Sequence, residues 1–367
     1  MNPFSVKKIE AWPVGLPLKA SFVVATGAMD VAKNVFVRVT LQGGAVGYGE
    51  IAPFPDISGE DQTACLAAFP AAAQILLGKS AMQFRLLSKQ LLDVTQSFPS
   101  LRCGLETALL DALCRATGIP LWGLWGGAEV RIRETDVTLP IGATNMVVAT
   151  ALDWHQKGFQ ILKMKVGQDV EEDIRRVEAV AAACPEASFV IDANQGYTLE
   201  QARAFMLAMK QLHIPVKVFE QPIHRDDIEQ IAMLKDQSLI PLAADESLRS
   251  IEDARQLIEQ KAVDMFNVKI TKCGVMESVR IVELAQASGV RLMIGGMVES
   301  RVAMGCSWSM VLGLGGFELL DLDMPLLLSV DPIHGGYQYT GSSLNPCYEP
   351  GLGMFINAES SLMLSIE

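Results

Sequence analysis

Six residues in the second half of the chain have the types and spacing to do chemistry together. They are Lys163, Lys165, Asp192, Glu220, Asp245 and Lys269. Positions 165, 192, 220, 245 and 269 follow at intervals of 27, 28, 25 and 24 residues. One such interval accommodates a strand, a helix and two short loops, so these side chains meet at one end of a parallel sheet if each ends a strand. Three carboxylates on adjacent strands about 4.8 Å apart repel one another unless a cation lies between them. All-oxygen donors indicate a hard divalent ion, and Mg²⁺ commonly takes a few carboxylates and leaves positions for substrate oxygens. Lys163 and Lys165 share a strand face. A Lys-x-Lys pair alone is usually a wet strand edge, but Ile161, Leu162, Met164 and Val166 around this one are apolar. That predicts a strand buried on both faces, with lysines lowered from about 10.4 toward the 7–8 useful to a general base. Lys269 falls four strands after Lys165, across the mouth of a closed sheet. Two lysines on opposite sides of a metal-held substrate predict removal of a proton next to a carboxylate from one face and its return from the other. The cation would stabilise the enediolate formed between the two steps.

The elements that must hold these residues are legible as a change of rhythm. Residues 8–14, 35–41 and 46–51 read as strands around a Gly43-Gly44 turn, and residues 62–77, 82–94 and 103–116 have helical apolar spacing. Residues 1–125 therefore form an α+β unit. From about Arg131, strand-like runs at 135–141, 160–166, 188–192, 216–220, 241–245, 265–270, 291–295 and 318–323 alternate with amphipathic stretches. Eight strands alternating with helices predict an α/β parallel barrel over residues 126–325. The segment 326–367 adds no further unit and is expected to return to the first domain.

Composition removes several other classes. The net charge is −12 and no basic run occurs, so nucleic acid is not an expected partner. No run of about 18 apolar residues occurs, so no membrane span is expected. Residues 1–13 carry Lys7, Lys8 and Glu10 where a secretory signal needs an apolar stretch, and the seven cysteines are scattered without C-x-x-C. Both point to a reduced, cytoplasmic setting.

The motifs Lys163-Met164-Lys165, Asp192-Ala193-Asn194-Gln195-Gly196, Glu220-Gln221-Pro222, Asp245-Glu246-Ser247 and Asn267-Val268-Lys269 resemble the signature of the muconate-lactonizing-enzyme subgroup of the enolase superfamily. The likeness spans essentially the whole chain, including Gly47-Tyr48-Gly49-Glu50 and Ile57-Ser58-Gly59-Glu60 of the first domain. It implies a modified TIM barrel, (β/α)₇β, capped by an α+β domain built from both chain ends. It also implies Asp192, Glu220 and Asp245 as Mg²⁺ ligands, Lys165 and Lys269 as the acid/base pair, and Lys163 as a holder of the substrate carboxylate. Asp321-Leu322-Asp323 at the eighth strand is similar to the Asp-x-Asp of dipeptide epimerases. Two carboxylates there suit the α-ammonium of a dipeptide, whereas an N-acylated or lactone substrate would leave them uncompensated.

The resemblance thus implies epimerisation at the second residue of an L,L-dipeptide to the L,D form. It places Thr135 and Met297 in the substrate pocket and Glu299 near the mouth. N-acylamino acid racemase or cycloisomerase activity within the subgroup, and a barrel that only binds a small ligand, are the competing readings. Members acting on Ala-Glu carry an arginine in an early flexible loop; residues 21–31 here contain none. The side chain expected is therefore neutral or apolar, or cationic if Asp30 or Asp56 reaches it. Val275 stands where a second glycine is usual after Cys273-Gly274. His155, His213, His224 and His334 fall away from the sixth and seventh strand ends, which disfavours a His–Asp dehydratase site. The expected partner is a small dipeptide, with self-association into a homo-oligomer left open.

Overall fold

The computed structural model describes residues 2–356 and 364–367. The Asp56 side chain also lies outside the described residues. The cap is an antiparallel sheet of β1 (Val6–Val24), β2 (Gly27–Leu41) and β3 (Val46–Ile51), and Leu364–Ile366 pairs with the free side of β1. Helices Gln62–Leu76, Phe84–Val94 and Pro99–Thr117 cover it. Val35, Val37 and Val39 on β2 and Phe69, Leu105 and Leu109 on the helices form one buried cluster. The third helix starts four residues before the expected 103, at Pro99, whose fixed φ suits a first helical turn. Every residue from Ser100 to Cys114 on it is buried. Its contact with β3 needs glycine: a Cβ on Gly49 would come within 2.0 Å of Gly104 O, and one on Gly47 within 2.2 Å of Ala108 O.

Residues 21–31, expected to be a flexible loop, form a hairpin instead. Val24 pairs with Gly27 across an Ala25-Thr26 turn, and Phe22 pairs with Met29. Phe22, Val23 and Val24 have the aromatic and β-branched character that strands favour. The hairpin tip is tied to the second domain by Ile141 N, which donates to Val23 O at 2.9 Å.

After β4 (Arg133–Glu134), which pairs with Ser343–Asn345, come the eight parallel strands. They are β5 (Val137–Leu139), β6 (Ile161–Lys165), β7 (Ser188–Asp192), β8 (Val216–Glu220), β9 (Leu242–Ala244), β10 (Met265–Val268), β11 (Arg291–Ile294) and β12 (Phe317–Leu320). Each pairs with its sequence neighbour. At the seam, Asp136 N donates to Leu320 O at 2.9 Å, so the first and last strands close on each other. Helical segments fill the seven connections, giving a (β/α)₇β barrel. Outward residues such as Leu162, Met164, Phe189 and Ile191 join the layer beneath the helices, while Val190, Val218, Met265, Met293 and Leu319 form a small apolar plug inside.

Six strands are shorter than expected, two of them only slightly: 161–165 of 160–166 and 291–294 of 291–295. Pairing covers 137–139 of 135–141, 242–244 of 241–245 and 265–268 of 265–270. The sixth stops because a short helix, Ile270–Cys273, starts directly after Lys269. The eighth stops at Leu320 because Asp323, with φ −92° and ψ −16°, already turns into the helix Met324–Leu327, whose early Pro325 supports the turn.

Candidate active site

Alternation along the strands carries Lys163, Lys165, Asp192 and Glu220 inward above the apolar plug, and Asp245 and Lys269 follow immediately after or near the ends of β9 and β10. All six are buried. Asp192, Glu220 and Asp245 each place a carboxylate oxygen within 4.8 Å of the others. Lys165 Nζ lies 2.6 Å from Asp192 Oδ2 on one wall, and Lys269 Nζ lies 2.7 Å from Asp245 Oδ2 on the other. Lys163 Nζ lies 2.6 Å from Asp321, 2.8 Å from Glu220 and 3.1 Å from Asp192. Lys165 and Lys269 are on strands four apart, hence on opposite walls.

Burial pushes the Asp192 carboxyl up, but Lys165, Lys163 and Lys269 outweigh it and hold the group below the ordinary carboxylate range. Asp245 is likewise held low against burial by Lys269 and Lys272. Glu220 goes the other way. Burial and the charge of Asp192 push it up to about 7. Its Oε1 accepts from Asn267 Nδ2 at 2.7 Å, whereas Oε2, although near Lys163, is outside hydrogen-bonding geometry. Three buried carboxylates, one with an oxygen that accepts no hydrogen bond among the described residues, fit a hard divalent cation.

The expectation that crowding lowers the lysines is reversed for two of them. Burial does push Lys163 and Lys269 down. The carboxylates of Asp321, Glu220 and Asp192 for Lys163, and of Asp245 and Glu220 for Lys269, pull harder and raise both above the ordinary ammonium value. The acids expected to share a cation are also the nearest counter-ions of the ammonium groups, and at these distances pairing outweighs desolvation.

A chamber opens above this floor, lined by Lys163, Lys165, Lys269, Thr138, Asn194 and Asp321 from the barrel. Phe22, Val24, Thr26, Phe54 and Ile57 from the cap and Met297, Val298 and Met324 from the barrel loops complete it. Thr135 is not among its walls. Its hydroxyl donates to Leu320 O at 3.1 Å and accepts from Leu322 N at 2.8 Å, so it staples the barrel seam; Thr138 faces the chamber instead. Asp321 and Asp323 come together, but not as neighbours on one strand face. Asp321 faces the chamber, whereas Asp323 sits fully buried behind it, accepting from Thr138 N at 2.6 Å. Burial and Asp321 push Asp323 up to about 7. Asp30 is exposed and outside the chamber walls. Glu299 accepts from Thr271 Oγ1 at 2.6 Å and Met297 N at 2.8 Å, and its other oxygen has no hydrogen-bond partner among the described residues.

Several further groups at the site were given no role by the sequence, although Gln221 and Glu246 lie within its motifs. Lys272, on the helical turn after Lys269, donates to Asp245 Oδ1 and Asp245 O. Gln221 accepts from Asp245 N at 2.9 Å and Ser247 N at 3.0 Å, which fixes the loop after β9. Glu246 accepts from Asn194 Nδ2 at 3.2 Å. Gly295 leaves the space for three of the key side chains: a Cβ there would stand 2.9 Å from Asn267 Oδ1, 2.9 Å from Asp321 Oδ2 and 3.1 Å from Lys269 Cε.

Comparison with known proteins places this architecture. Residues 8–126 match the mandelate racemase / muconate lactonizing enzyme N-terminal domain, and residues 146–360 match the enolase C-terminal domain-like family. The chain belongs to the mandelate racemase / muconate lactonizing enzyme family. It is 40% identical over 353 residues to the aromatic dipeptide epimerase of Herpetosiphon aurantiacus, covering 96% of this chain and 99% of that protein. It is 38% identical over 343 residues to the L-Ala-D/L-amino acid epimerase of Populus trichocarpa, covering 92% of this chain and 81% of that one. Among solved structures, the dipeptide epimerase of Cytophaga hutchinsonii complexed with Mg and D-Ala-L-Val superposes with a TM-score of 0.94 at 28% identity, over 99% of this chain and 100% of that one.

Proposed function

We infer that this chain is a Mg²⁺-dependent dipeptide epimerase that inverts the α-carbon of the second residue, interconverting L,L- and L,D-dipeptides. The observation that carries this reading is the pair Lys165 and Lys269 on opposite walls, with Asp192, Glu220 and Asp245 between them and Asp321 facing the same chamber. Relatives at 38% and 40% identity that are named epimerases of such substrates support it.

In this reading the substrate carboxylate points down to the floor beside Lys163, whose ammonium neutralises part of its charge. A divalent cation held by Asp192, Glu220 and Asp245 would supply positive charge to the carboxylate oxygens as negative charge develops there. It would also take carboxylate oxygens away from the lysines and so lower their proton affinity. Lys165 Nζ and Lys269 Nζ then face opposite sides of the α-carbon. The unprotonated one accepts the α-proton, and the ammonium opposite delivers one, which inverts the centre. The free α-ammonium at the other end of the dipeptide pairs with Asp321, backed by Asp323. The hairpin tip, Phe54, and Ile57 of the short helix Pro55–Ser58 cover the chamber from the cap side.

The side chain favoured is neutral and apolar. Phe22, Val24, Phe54, Ile57, Met297 and Met324 offer an apolar surface, and the lysines of the chamber are committed to acids. A glutamate side chain finds no free cation among the described residues of these walls. The test is a dipeptide panel in D₂O with Mg²⁺, read by mass for one deuterium at the second residue. Uptake is expected with free-amine dipeptides bearing Leu, Phe or Tyr second, weakly with Ala-Glu, and not with N-succinyl amino acids. Exchange confined to N-succinyl substrates would replace this reading by a racemase, and exchange with no substrate would replace it by a binding protein.

A further inference from the structure

A third carboxyl lies behind the Asp321–Asp323 pair. Asp136, the residue before β5, is 1% exposed, and each of Asp136, Asp321 and Asp323 brings an oxygen within 4.8 Å of the others. Asp321 has a cationic partner in Lys163 at 2.6 Å, and Asp323 Oδ2 has the Thr138 amide. Among the described residues Asp136 has neither: both of its oxygens are buried without a hydrogen-bond partner, and so is Asp323 Oδ1. Asp136 does not reach the chamber walls, so a substrate ammonium does not touch it.

An ionised carboxylate with both oxygens buried and unpartnered is among the most costly groups a protein can hold. Three ionised acids facing the single charge of Lys163, itself shared with Glu220 and Asp192, would worsen that cost. One proton removes both problems. A neutral Asp136 becomes a donor, and the nearby buried oxygen still lacking one is Asp323 Oδ1. The groups that face Asp136 are Asp321 and Asp323 after β12, Lys163 on β6 and Glu220 on β8. Burial, followed by Asp321 and Asp323, pushes the Asp136 carboxyl well above the usual carboxylate range, and Lys163 opposes this only in part.

We propose that Asp136 is a positioning residue that carries a proton and donates it to Asp323, orienting the ammonium clamp and limiting its charge to that of two carboxylates. A clamp of two charges, one already paired with Lys163, suits a monovalent ammonium. Three charges within 4.8 Å would instead form a second hard-cation site beside the one at Asp192, Glu220 and Asp245. The proton on Asp136 thereby helps direct the divalent ion to one acidic cluster and the substrate ammonium to the other. The role assigned to the ammonium rests on the dipeptide reading given above; the protonation does not.

Two variants and one spectrum test this on the Mg²⁺-loaded enzyme. Asp136→Asn keeps size and donor without charge, and is expected to hold KM for an apolar dipeptide within about 3-fold of the parent. Asp136→Leu removes the donor and should raise KM about 10-fold, with a smaller change in kcat, as for loss of one hydrogen bond to a charged group. Asp136→Asn as impaired as Asp136→Leu would show that the charge is required and overturn the proposal, as would two variants indistinguishable from the parent. The infrared difference spectrum of parent minus Asp136→Asn, recorded without substrate at pH 7.5, should contain the carbonyl stretch of a protonated carboxylic acid. A carboxylate band alone refutes the protonation even if either variant folds poorly or no dipeptide is turned over.

Discussion

Replacing Gly295 by alanine adds one methyl group at the point where the site is tightest. Its Cβ would stand 2.9 Å from Asn267 Oδ1 and Asp321 Oδ2 and 3.1 Å from Lys269 Cε. Normal carbon–carbon contact is about 3.5–4.0 Å, so these groups must each retreat by several tenths of an ångström. None retreats freely. Asn267 donates to Glu220 at 2.7 Å, Asp321 is paired with Lys163 at 2.6 Å, and Lys269 with Asp245 at 2.7 Å. The stability cost is that of a modest overpacking, about 1–3 kcal/mol. In the proposed mechanism the catalytic cost is larger, because a displaced Lys269 would lose alignment with the α-carbon, and an error near 1 Å costs about 10²-fold. We expect kcat for an apolar dipeptide to fall about 30- to 100-fold with an unchanged circular dichroism spectrum. Gly296→Ala is the control. The three atoms nearest its Cβ would be the flexible end of Met304, at 2.2 and 3.0 Å, and Glu299 Oε2 at 3.2 Å, none of them from Lys269 or Asp321. Equal loss in the two variants, or a Gly295→Ala enzyme within 3-fold of the parent, would refute the placement of Lys269 and Asp321 around this glycine.

Three further outcomes follow from the same geometry. Burial raises the Glu299 carboxyl from 4.5 to about 7. Between these values the unfolded chain loses the proton that the folded chain keeps, so folding stability falls as pH rises from 4.5 to 7 and levels above it. Glu299→Gln should remove that component, at most about 3 kcal/mol, and parallel denaturant titrations at pH 5 and pH 8 that show no difference between variant and parent would contradict it. Thr26→Arg puts a cation at the chamber rim, and kcat/KM for Ala-Glu relative to Ala-Phe should rise at least about 10-fold, in line with a charged hydrogen bond. An unchanged ratio in the dipeptide assay would exclude the hairpin tip as a specificity element. Chelation of divalent ions should abolish deuterium exchange, with Mg²⁺ restoring it. The far-ultraviolet spectrum should stay constant, because Lys165 and Lys269 already pair with two of the acids.

The chemical floor of the site was legible because strand period and barrel topology leave few arrangements. Residues at 165, 192, 220, 245 and 269 recur once per βα unit, so their convergence follows from repetition alone. What depended on long-range packing was not legible. The 21–31 segment lacks any local mark of its hairpin's destination, which is set by the Ile141–Val23 hydrogen bond between domains. Thr135 and Thr138 are both polar residues of the expected strand 135–141, and only the seam contact with Leu320 and Leu322 separates the staple from the wall. The Asp321–Asp323 pair was found through a strand periodicity that stops at Leu320. The chain's early turn into a helix brings the two together by another route and leaves Asp323 behind rather than beside Asp321. Asp136 is a single acid next to a threonine, and nothing in its neighbours foretells two unpartnered buried oxygens. The direction of the lysine shifts needed the distances, since burial and paired acids act oppositely on the same group.

The most direct test of opposed lysines separates the two half-reactions. Lys165→Met and Lys269→Met enzymes, loaded with Mg²⁺, are incubated in D₂O with the L,L and L,D epimers of one apolar dipeptide separately. Each variant should exchange the α-proton of one epimer only, the two choosing opposite epimers, and neither should epimerise. Exchange of the same epimer by both variants, or of both epimers by either one, would show that the lysines do not address opposite faces of a common carbon.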